Sequence, residues 1–136
     1  MLKCRVEFLL ILILFFLLPA CTPVEEKDLY GTYVANYTFG SERLTLNADG
    51  EYIQDVFLKG KSKTLTHRGH WWYEPEYKDV RLEKGLDIAD PAGGLRKDYN
   101  VPFDGVVLAH VRRAFPSIRL GTAYEDVDFV KMKKRN

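Results

Sequence analysis

Downstream of an unbroken apolar run from Phe8 to Leu18, the chain changes texture, and from Tyr30 onward hydrophobic and polar residues interleave in short runs bounded by turn residues. Leu44 and Leu46 point one way while Arg43 and Thr45 point the other. Near the end, Val127, Phe129 and Met132 interleave with Asp126, Asp128 and Lys131. Alternation of this kind belongs to strands with one face on a core and one in water. It predicts strands near Tyr30–Thr38, Glu42–Asn47, Glu51–Leu58, Lys63–Tyr73, Lys78–Lys84, Val106–Arg112, Ser117–Leu120 and Tyr124–Met132, and helical periodicity is nowhere sustained. Asn47-Ala48-Asp49-Gly50 is the clearest turn, because Asp-Gly readily adopts the positive φ of a tight hairpin; Gly60 and Pro75 mark the next two. Consecutive short strands joined by tight turns form an antiparallel meander. In a chain this small the expected fold is all-β, a small barrel or a strongly curled sheet.

The apolar run is too short for the roughly 20 residues that span hydrocarbon. Lys3 and Arg5 precede it, with Glu7 the one acidic residue among them, and Leu18-Pro19-Ala20-Cys21 follows. This is the pattern of an export signal: positive charge, a short apolar stretch, and a small residue where the peptidase cuts. With a cysteine directly after the cut, the segment resembles the bacterial lipoprotein signal. That resemblance implies cleavage after residue 20, acylation of Cys21 and a lipid-anchored place in the cell envelope, with the membrane as a partner through Cys21. In a Gram-negative cell, Thr22 in place of Asp after the cysteine implies the outer membrane. Three parts are therefore expected: a signal at 1–20, a lipidated tether at 21–27, polar and proline-bearing, and a β-domain at 28–136.

Charge narrows the function. The chain carries 20 Lys and Arg against 19 Asp and Glu. Loss of Lys3, Arg5 and Glu7 with the signal leaves a neutral domain without the basic field that nucleic-acid binding requires. Cys4 departs with the signal and Cys21 is acylated, so no disulfide is expected and packing alone must stabilise the fold.

The chemical inventory points away from catalysis and from any cofactor. His67 and His70 sit at an odd offset that sends them to opposite faces of a strand, and His110 is remote in sequence. There is no His-Glu-x-x-His, no paired Cys and no EF-hand spacing, so no metal is expected. Ser41, Ser62 and Ser117 lie beside turn residues, outside any Gly-x-Ser-x-Gly, and no glycine loop leads into a helix to cradle phosphate. Asp126 and Asp128 share a face and read as solvated carboxylates. Arg112, Arg113 and the tail Lys131, Lys133, Lys134 and Arg135 suit either anionic headgroups or plain solvation.

Two features remain. Trp71, Trp72 and Tyr73 stand together, with Tyr52, Phe57 and Tyr77 in neighbouring runs; adjacent tryptophans on a strand face opposite ways, so one enters the core and the other lies on the surface as a candidate ligand or partner contact. The stretch from Gly85 to Gly105 exceeds the usual loop length and is the expected place for a lid. Gly31-Thr32-Tyr33 and Gly69-His70-Trp71 are similar to the Gly-x-Trp opening of lipocalins and related calycin barrels. A glycine beside an inward aromatic also serves any tightly curled sheet by relieving crowding. The segments Leu44–Tyr52 and His110–Lys131 resemble small uncharacterised bacterial lipoproteins with a lipocalin-like β-domain, which implies a fold and carries no activity.

Two functions follow as expectations. In one, the sheet encloses a pocket for a small apolar ligand, lined by Trp71 and its aromatic neighbours and covered by the long loop. In the other, the core is filled and the outer face contacts another envelope protein.

Overall fold

The computed structural model describes residues 22–114, 117–122 and 127–133; the signal at 1–20, Cys21, and the Tyr124–Asp126 part of the last expected strand lie outside them. One turn of helix, α1 (Glu26–Leu29), is followed by eight strands: β1 (Gly31–Tyr37), β2 (Gly40–Leu46), β3 (Glu51–Leu58), β4 (Leu65–Glu74), β5 (Asp79–Glu83), β6 (Val106–Ala114), β7 (Ser117–Gly121) and β8 (Asp128–Lys131). Each pairs antiparallel with the next, and β1 closes on β8 through Tyr33 opposite Lys131 and Val34 opposite Val130. The result is a closed up-and-down barrel, compatible with a lipocalin-like fold.

The expected strands are present in order, and alternation decides their faces. Leu44 and Leu46 are buried, Arg43 is exposed and Thr45 half-buried. At the β2–β3 connection Gly50 has φ +84°, its N–H donates to the Asn47 carbonyl at 3.2 Å, and the Asp49 carboxylate accepts the Glu51 N–H at 2.9 Å. Two expectations change. Met132 does not join Phe129 in the core: it is exposed, because the odd offset between them puts it on the opposite face. The last two residues expected in the tether, Glu26 and Lys27, open α1, whose start is held by the Asp28 carboxylate accepting the Glu25 N–H at 3.0 Å.

An even number of up-and-down strands returns the start of β1 and the end of β8 to one end of the barrel. That helix end holds the larger core cluster, including Leu29, Tyr33, Leu46, Tyr52, Trp71 and Leu120. α1 seals it: Leu29 is fully buried, the Tyr33 hydroxyl donates to the Leu29 carbonyl at 2.8 Å, and the Lys131 ammonium donates to the Asp28 carbonyl while lying over the Tyr33 ring. The opposite end is covered by residues 85–105.

Candidate functional site

The long β5–β6 connection is a folded cap. Its hydrogen bonds continue the hairpin past the strands: Lys84 donates to the Gly105 carbonyl at 2.8 Å and Phe103 to the Gly85 carbonyl at 2.9 Å, and isolated bridges pair Leu86 with Pro102 and Ala89 with Leu95. Farther out, Asp90 Oδ1 accepts the N–H groups of Ala92 and Gly94, while Arg96 reaches Asp87 at 3.1 Å and Asp98 at 3.0 Å. Leu86, Ile88 and Ala89 turn inward and are buried. The expectation of a lid at this loop thus corresponds to a cap that carries its own apolar residues into the mouth of the barrel.

Beneath it lies a cavity of about 280 Å³. The cap supplies Leu86, Ile88 and Phe103 to its wall, β6 supplies Val107 and Ala109, and β8 supplies Phe129. An eight-stranded barrel is just wide enough to be filled by side chains or to hold one small ligand; here the helix end is filled and the cap end is not. Among the described residues β7 pairs with β6 only from His110 to Ala114, so Val106–Ala109 is bonded on the β5 side alone. Phe103 and Leu108, half exposed, stand where the cavity meets solvent.

Its polar floor is one network. Glu42 projects inward from β2 and is 4% exposed, and Gln54 projects from β3 and is 1% exposed. Gln54 Nε2 donates to Glu42 Oε1 and, at 2.8 Å, to the Leu86 carbonyl, and Gln54 Oε1 accepts the Leu86 N–H at 2.8 Å. Its amide thereby holds the cap backbone much as a neighbouring strand would. From β1, the Tyr37 hydroxyl donates to Glu42 Oε2 at 3.0 Å. Burial pushes the Glu42 carboxyl up to about 7, against the downward pull of the Gln54 and Tyr37 hydrogen bonds, and the nearby Asp87 adds to the rise.

The aromatic residues expected to mark a site lie elsewhere. Trp71 is the inward tryptophan, 4% exposed, but it packs at the helix end, where its indole N–H donates to the Asn47 carbonyl at 2.9 Å and its ring meets Tyr30 edge to face. Tyr73, two residues on, packs partly against the same core cluster. Trp72 faces outward and is 38% exposed, not covered by the cap. None of the three lines the cavity. His67 is half-buried and His70 exposed, on opposite faces of β4 as their offset required. His70 lies 3.5 Å from Glu83, and His110 lies 3.0 Å from Asp79.

Glu42 and Gln54 were absent from the sequence-based candidates, although the signal for them existed: Glu42 shares its parity with Leu44 and Leu46, and Gln54 sits between Tyr52 and Val56 on one face. A charged residue in phase with core leucines is a buried carboxylate candidate. Comparison of the chain with protein-family models, curated proteins and solved structures finds no match.

Proposed function

We propose that this protein is a lipid-anchored lipoprotein of the cell envelope that holds a small, largely apolar ligand in the cap-end cavity, in a binding rather than a catalytic role. The observation that carries the reading is the unfilled, mostly apolar space under the cap, with the Glu42–Gln54–Tyr37 cluster on its floor; binding sites combine such walls with a few placed polar groups. Anchor and cavity are compatible in orientation. Thr22, next to Cys21, enters at the helix end, where its hydroxyl accepts a hydrogen bond from Arg113 at 3.3 Å. A domain tethered there turns its cap away from the bilayer, and its ligand is exchanged with the aqueous side.

The anchor has a direct test. Metabolic labelling with a fatty-acid analogue should mark the parent and not Cys21→Ala, which should leave the membrane fraction; an equally labelled, membrane-bound variant removes the lipoprotein assignment. For the pocket, calorimetric titration of the full chain in micelles with 3-phenylpropanol, against a micelle blank, should show one-site binding. Ala109→Leu, which adds volume to the wall, should weaken it at least fivefold with the unfolding midpoint measured alongside. An unchanged affinity in that variant places the binding outside the barrel. A second reading, contact with another envelope protein, rests on the exposed Trp72 of the outer face.

A further inference from the structure

The chemistry of the cavity wall narrows the ligand. Among the described residues its ionisable groups other than the Tyr37 phenol are Glu42 and Asp87, both acidic, and no described Lys, Arg or His lines it. Asp87 already meets Arg96 at 3.1 Å, whereas the bonds that reach Glu42 come from a neutral amide and a neutral phenol. A carboxylate accepts about four hydrogen bonds, two at each oxygen, so one Gln and one Tyr donor leave capacity on both. A buried carboxylate with no cation beside it is costly, and the partner that offsets this cost best is a positive charge brought into the same space.

We propose that the cavity takes a primary amine carried on a small apolar body, with the ammonium group meeting Glu42 and the apolar part lying against the cap and β6. This rests on the ligand-binding reading above. Size sets the body: a cavity of ~150 Å³ holds benzene, and about 280 Å³ has room for a phenyl ring with a short alkyl arm. The arm points toward the floor, where Tyr37 and Gln54 fix the carboxylate plane. An anionic head of the same shape meets two carboxylates and, among the described lining residues, no cation, and is rejected.

Three congeners that differ only in the head test this: 3-phenylpropylamine, 3-phenylpropanol and 3-phenylpropanoate, titrated by calorimetry into the full chain in micelles at pH 8. The amine should bind at least tenfold tighter than the alcohol, and the carboxylate should be weakest. In Glu42→Gln the amine should lose its advantage and bind no tighter than the alcohol does to the same variant. A pH series on the unsubstituted protein supplies the same answer without a variant. Among the described residues, the groups that face Glu42 are Tyr37 from β1, Gln54 from β3 and Asp87, held by Arg96, from the cap, with His67 of β4 beside Gln54 in the register. The amine's advantage should shrink to less than twofold by pH 5.5, as Glu42 takes up a proton. If the alcohol binds as tightly as the amine at pH 8, the cation assignment is overturned and the binding reading stands. If none of the three binds, both are overturned.

Discussion

Between pH 4.5 and 7 the barrel should lose roughly 3 kcal/mol of unfolding free energy to the ionisation of one residue, Glu42. Its carboxyl sits at about 7 in the folded protein against 4.5 as its ordinary value, chiefly because burial penalises the charge. The folded state therefore holds its proton more tightly than the unfolded chain does. The stabilisation is fully present below pH 4.5, declines as the unfolded chain ionises first, and is gone once the pH has risen through about 7. Glu42→Gln keeps the shape without the ionisation. Denaturant midpoints of parent and variant should converge near pH 4.5 and separate with rising pH, the variant being the more stable at pH 8. Parallel curves from pH 4.5 to 8 would mean that Glu42 ionises in the folded protein as readily as in water. A bound amine should reverse the trend, since it supplies the missing positive charge.

Gly69→Ala should cost about 2–3 kcal/mol even though the site demands no unusual backbone conformation. The reason is the ring of Tyr52, paired with Gly69 across β3 and β4: a Cβ at position 69 would stand 2.7 Å from its Cε1 and 2.9 Å from the Glu83 carbonyl. Tyr52 is buried, and its hydroxyl donates to that same carbonyl at 2.9 Å. The methyl group must displace the ring, and with it the hydrogen bond. Urea unfolding of a double-mutant cycle decides the mechanism: in a Tyr52→Ala background the further change Gly69→Ala should cost about 1 kcal/mol less than in the parent, only the contact with the Glu83 carbonyl remaining. An equal cost in both backgrounds would assign the effect to the strand backbone instead. The glycine of Gly69-His70-Trp71 is thus explained by an aromatic on the neighbouring strand, not by the tryptophan two residues later.

Position along a strand was legible, and position along the barrel axis was not. The alternation of Arg43, Leu44, Thr45 and Leu46 is a local property with a period of two, so the sequence determined the strands, their faces and the Gly50 turn, which has the positive φ its Asp-Gly pair required. It also determined that Trp71 and Trp72 part company; only packing decided that Trp71 is the inner one and that it serves the helix end. Closure was equally out of reach, since a curled sheet and a barrel share every local pattern and differ only in whether β1 meets β8, a contact between opposite ends of the domain. The length of the 85–105 segment announced a special loop. That it folds into a cap, held by Gln54 over a space the barrel's own side chains leave open, depends on strand stagger and on hydrogen bonds between residues about thirty positions apart. Glu42 stands between the two regimes. Its inward face was written in its parity with Leu44 and Leu46, but its raised carboxyl and its place on a cavity floor arise only when β1, β3 and the cap converge on it, because burial is a property of the assembled neighbours and not of the strand that carries the residue.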